Sequence, residues 1–112
     1  LVAQGKLTLD DPVNAHLPAA LQLPESRWAE PMRIRHLLSH TAGFEDSALG
    51  HLFVRDPAHL LSPEDYLLRY RPARVRPPGA EAVYSNYGVA LLGAVIAHLS
   101  GRSYIEQVEA TL

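Results

Sequence analysis

Apolar residues recur at helical spacing in several stretches of this chain, and proline-rich runs separate them. The strongest stretch holds Val89, Leu91, Leu92, Val95, Ile96 and Leu99 and predicts a helix from about Asn86 to Ser100. So wide a stripe predicts burial on most sides. Gly88 and Gly93 fall inside it, where each costs about 1 kcal/mol relative to alanine, so a close backbone neighbour is expected. Gly101 is the predicted stop, and Ser103-Tyr104-Ile105-Glu106 reads as a capping box that opens a further helix.

Ile34, Leu37 and Leu38 share one stripe, which predicts a helix over Met32 to His40 with Gly43 ending the unit. A short helix is expected from about Ser47 to Val54. Ser62-Pro63-Glu64-Asp65 is a strong start signal: Ser62 can cap and Pro63 suits the first helical position. That helix should reach about Arg71, with Tyr66, Leu67 and Tyr70 facing inward. Near the beginning, Lys6 to Asp11 reads as an extended connection, because Pro12 follows at once. Asp11 would then cap a short helix, Val13 to Leu17. Pro18 to Pro31 holds three prolines and should be mostly loop, as should Pro72 to Gly79. The expected class is mainly α, with little or no sheet and no internal repeat.

Composition narrows the function. The chain has 112 residues, 47% apolar and 20% charged, which is the profile of a globular domain. A net charge of −2 gives no basis for bulk capture of nucleic acid. There is no cysteine, hence no disulfide framework and no thiolate chemistry. No apolar run approaches the roughly 18–20 residues that span a bilayer. Leu1-Val2-Ala3 reads as the last turn of a helix stopped at Gly5, and the segment after Glu106 shows no stop signal. These ends are expected to be those of an excised piece.

Candidate chemistry centres on Tyr84-Ser85-Asn86, which follows the Pro78-Gly79 turn and opens the longest helix. A phenol ionises near pH 10, so one acting as a base at neutral pH needs a cation beside it. Asn86 can orient such a cation or hold a substrate amide. The plain alternative is a packed loop tyrosine followed by a helix-capping asparagine.

His36 and His40 stand four apart, a spacing that suits zinc when a third ligand exists, but the intervening position is Leu37 where a metalloprotease would carry glutamate. Two histidines bonded to loop backbone are the expected reading, with no metal. Arg69, Arg71, Arg74 and Arg76 cluster near Tyr66 and Tyr70, and in an acidic chain they are expected to form a solvated surface. Serine nucleophile patterns are missing. There is no Gly-x-Ser-x-Gly elbow and no Ser-x-x-Lys pair, since Ala3 precedes the only lysine, Lys6, by three. Lys-Thr-Gly is also missing, and the nearest string is His40-Thr41-Ala42-Gly43. Ser39 and Ser85 each have a histidine or tyrosine close by in sequence, which does not make a triad.

Four blocks in order resemble the β-lactamase-related serine hydrolases, the group of class C β-lactamases, D-alanyl-D-alanine carboxypeptidases and several esterases. They are Leu1 to Val13, with its Gly-Lys-Leu-x-Leu-Asp-Asp-Pro core; Ile34 to Phe44, with Ala42 where the family usually has serine; Pro78-Gly79 with Tyr84 to Gly88; and Leu91 through Tyr104. The resemblance implies the helical region of an α/β fold, with residues 1–112 as a partial domain. It implies Tyr84 as a catalytic acid–base group and Asn86 as a substrate-binding residue. It also implies that the nucleophilic serine with its lysine, and a third motif on a strand, belong to polypeptide on either side of these residues. No cofactor is implied. The substrate would be a small molecule or peptide with an amide, lactam or ester bond. By family analogy the setting is the bacterial periplasm or outside the cell, with the cytoplasm also open. A noncatalytic binding relative and an unrelated helical interaction module remain the alternatives.

Overall fold

The structure is a computed structural model, and it describes residues 2–45, 58 and 61–111. Four α-helices are described: α1 (Ile34–Leu38), α2 (Pro63–Arg69), α3 (Asn86–Ser100) and α4 (Tyr104–Thr111). Short 3₁₀ turns at Val13–His16 and Ala19–Leu21 precede them. No strand occurs among the described residues; two isolated antiparallel bridges join Pro12 to Arg33 and Phe44 to Arg74. The helix expected near Ser47 to Val54 lies outside the described residues.

Helix α3 is the hub, packing against α1, α2 and α4. Its start is fixed by Ser85, whose Oγ accepts the Gly88 N–H at 3.0 Å, and its end by Gly101 in the left-handed conformation (φ 69°). Leu91 and Val95 are fully buried with Val13, Leu21, Ile34, Leu37, Phe44 and Leu67 around them. The expected burial on most sides is not met: Val89 is 49% exposed, and this flank borders a hollow of about 690 Å³ shared with Leu21, Pro63 and Tyr104. The close approach expected at the two helix glycines is not found: a Cβ on Gly88 would lie 3.6 Å from Leu37 Cδ2 and one on Gly93 3.7 Å from Tyr104 Cδ2, ordinary contacts with side chains.

α1 is shorter than its pattern. Residues 32–34 are engaged elsewhere, since the Val13 N–H donates to Met32 O and the Ile34 N–H to Asp11 O. Ile34 and Leu37 enter the core, but Leu38 is turned away from it and is 56% exposed, contrary to expectation. Asp11 does not cap the Val13 turn. Its carboxylate instead accepts the Thr8 hydroxyl (2.6 Å) and N–H (3.0 Å) and meets His16 Nε2 at 2.7 Å. These bonds, the Thr8 hydroxyl first, hold its pKa down to about 2.

α2 starts as expected, with the Asp65 N–H on Ser62 Oγ at 3.2 Å and Pro63 next. It ends at Arg69 rather than Arg71, because Pro72 disfavours helical backbone at the residue before it. Arg71 then reaches inward and donates to Leu21 O (2.8 Å), Gln22 O (3.0 Å) and Tyr87 Oη (2.9 Å). Of the four clustered arginines Arg69 is exposed as expected, but the other three do not form a solvated surface. Arg76 Nη2 donates to Phe44 O at 3.0 Å, and Arg74 is lodged beside the Trp28 ring with Nε and Nη2 buried and unpartnered. The box at Ser103 forms in both directions, through Ser103 N–H to Glu106 Oε2 (2.9 Å) and Glu106 N–H to Ser103 Oγ (3.2 Å).

Candidate active site

The loop after α1 and the segment before α3 are held against each other by backbone hydrogen bonds. Glu45 N–H donates to Ala73 O (2.9 Å), Val75 N–H to Gly43 O (2.8 Å), Gly79 N–H to Thr41 O (2.8 Å) and Val83 N–H to His40 O (2.8 Å). This pairing delivers Tyr84 to the lip of α3 in a fixed frame. Tyr84 is 57% exposed, and its Oη donates to Asn86 Oδ1 at 2.7 Å. Asn86 is the first residue of α3, so both groups stand at the end of the helix whose dipole favours negative charge. Tyr84 and Asn86 are thus brought together, with the phenol oxygen on the open side of the molecule.

The two histidines bond to loop backbone, as expected from the sequence. His36 Nδ1 accepts the Arg33 N–H at 2.9 Å, and His40 Nδ1 accepts the Ser85 N–H at 3.3 Å. Gly79 faces His36: a Cβ there would lie 3.5 Å from Nε2. Burial pushes the His36 imidazole below its ordinary pKa, and the Arg33 and Arg35 charges push the same way. A depressed pKa in the fold means that the unfolded chain takes up the proton first. The contribution of His36 to stability is therefore present above about pH 6.5 and is lost as pH falls through the lower folded value. Urea unfolding should show a lower midpoint at pH 5.5 than at pH 7.5, and His36→Asn should flatten that difference. Equal midpoints for the parent chain at the two pH values would contradict this.

Neither nearby serine is set up as a nucleophile. Ser85 Oγ is buried and occupied as the cap of α3, and Ser39 Oγ donates to Arg35 O at 2.8 Å. His40-Thr41-Ala42-Gly43 forms the turn out of α1 and is not a strand. Sequence reasoning missed what His40 does beyond its backbone bond: its ring packs on Tyr84, with centroids 4.8 Å apart. The positive φ of His40 (56°) gave no signal in the sequence.

The Beta-lactamase family model matches residues 1–112, the whole chain. The chain belongs to the Beta-lactamase family. Among its relatives, the D-alanyl-D-alanine-carboxypeptidase/endopeptidase AmpH of Escherichia coli (strain K12) is 27% identical over 111 residues. That match covers 97% of this chain and 28% of AmpH. The penicillin-binding protein from Bacillus halodurans superposes with a TM-score of 0.74 at 35% identity, over 98% of this chain and 32% of that one. A D-stereospecific amidohydrolase from Streptomyces sp. superposes with a TM-score of 0.76 at 29% identity, over 100% of this chain and 36% of that one. The chain thus spans between 28% and 36% of the length of these three proteins.

Proposed function

We propose that this chain is the helical region of a serine hydrolase that cleaves amide, lactam or ester bonds through an acyl-enzyme. The observation that carries the proposal is Tyr84: an exposed phenol at the lip of α3, hydrogen-bonded to Asn86, within a chain of the Beta-lactamase family. The serine nucleophile and its lysine come from polypeptide outside these 112 residues. The lysine ammonium favours the phenolate, which takes the serine proton as Oγ attacks the carbonyl carbon. The C–N or C–O bond to the leaving group then breaks, and the same proton passes to the departing nitrogen or oxygen. Water, deprotonated in turn, releases the acyl group and restores the serine. Asn86 holds the acyl side of the substrate and the lysine. The names of two relatives (D-alanyl-D-alanine-carboxypeptidase/endopeptidase and D-stereospecific amidohydrolase) favour a carbonyl flanked by a D-configured residue.

Covalent capture tests this. The complete polypeptide, treated with a fluorophosphonate or benzylpenicillin, should gain one adduct on the serine of a Ser-x-x-Lys pair, seen by intact and peptide mass spectrometry. The 112-residue chain alone should gain none, and should hydrolyse nitrocefin or a p-nitrophenyl ester no faster than its Tyr84→Phe variant. No adduct on the complete polypeptide would favour a relative that binds without turnover. Tyr84-dependent turnover by the short chain would overturn the placement of the nucleophile.

A further inference from the structure

His40 occupies a backbone position that glycine usually fills. α1 ends in a Schellman arrangement: the Thr41 N–H donates to His36 O at 2.8 Å and the His40 N–H to Leu37 O at 3.4 Å. His40 is the left-handed residue of that motif and the one non-glycine residue with positive φ among those described. Histidine tolerates this conformation better than most residues, but glycine adopts it freely. A left-handed non-glycine residue beside a candidate site points to use of its side chain. Three contacts from this one residue converge on the Tyr84 segment. Its carbonyl accepts the Val83 N–H at 2.8 Å, its Nδ1 accepts the Ser85 N–H at 3.3 Å, and its ring lies 4.8 Å from the Tyr84 ring. Ser85 is buried, so without Nδ1 its N–H would lose its acceptor at a largely covered position.

We infer that His40 is a positioning residue: its Nδ1, on the Ser85 N–H, and its ring, on the Tyr84 ring, set where the phenol oxygen stands. This rests on the hydrolase reading above, in which that oxygen moves the proton. Nδ1 must accept, so the working imidazole is neutral with its proton on Nε2.

The test is a double-mutant cycle in the complete hydrolase, with thermal melting alongside. His40→Gly relaxes the left-handed turn and keeps the backbone bonds, which offsets the acceptor lost to Ser85, so its melting temperature should stay within a few degrees of the parent's. Its kcat should nevertheless fall about 10- to 100-fold, the scale expected when a reacting group is displaced by about an ångström. In a Tyr84→Phe background the same change should cost about twofold or less, because its effect runs through the phenol. His40→Asn, which tolerates the turn and offers Oδ1 in place of Nδ1, should recover most of the loss. Should the glycine variant not fold, His40→Ala, which also lacks the acceptor, takes its place in the cycle. Equal losses in both backgrounds, or an unchanged kcat for His40→Gly while Tyr84→Phe is impaired, would overturn the role of His40 and leave the hydrolase reading standing. A Tyr84→Phe variant as active as the parent would remove that reading itself.

Discussion

Replacing Tyr84 by phenylalanine should lower kcat of the complete hydrolase about 10²- to 10⁴-fold, the usual contribution of a positioned acid–base group. One oxygen is removed and little else changes. The ring can stay against His40, and the phenol is exposed, with its hydroxyl bonded to the side chain of its near neighbour Asn86. Stability should therefore stay within about 0.5 kcal/mol of the parent, as for other surface changes. The split between a large kinetic effect and a negligible thermodynamic one is the signature to look for. A packed loop tyrosine with no chemical role predicts the reverse: unchanged kcat, with any effect confined to stability. Measuring kcat and urea unfolding on the same preparations decides between them.

Gly43→Ala should destabilise the chain by about 3–5 kcal/mol, which places it among the exceptional single substitutions. Two causes add. Gly43 has φ +90°, a region that residues with a Cβ rarely enter. A Cβ there would also run into the backbone carbonyl of Arg76, which cannot swing aside as a side chain tip can. The Gly43 carbonyl is itself bonded to Val75 N–H (2.8 Å), so relief by movement breaks the pairing that carries the Tyr84 segment. Gly101→Ala is the control. Its φ is +69°, yet nothing lies within 4 Å of the added Cβ, so only the backbone cost of about 1–2 kcal/mol remains. Urea unfolding of the two variants measures the difference, and equal losses would contradict the clash with Arg76.

What could be read from the sequence was local. Ser62-Pro63, the Ser103–Glu106 box and the limits of α3 depend on residues within four positions of one another, and all three appear in the fold. Features set by distant partners were not legible. Nothing in Met32-Arg33 announces pairing with Asp11 to Val13, so α1 was expected to be longer than it is. The arginines looked like surface because charge usually is, whereas Arg71 serves three acceptors, two of them about 50 positions away. The breadth of the α3 stripe promised burial that Val89 does not have here. Of the candidate site, Tyr84 and Asn86 were visible as a motif. The support from His40 was not, because its partner Ser85 lies 45 residues on and its positive φ is written in no side chain.

The most direct measurement is a crystal structure of the complete polypeptide carrying a covalent phosphonate on its nucleophile. Tyr84 Oη should then lie about 2.6–3.2 Å from the modified serine Oγ, with a lysine ammonium beside both. An adduct formed out of hydrogen-bond reach of Tyr84, with the phenol still turned only to Asn86, would contradict its role in the chemistry.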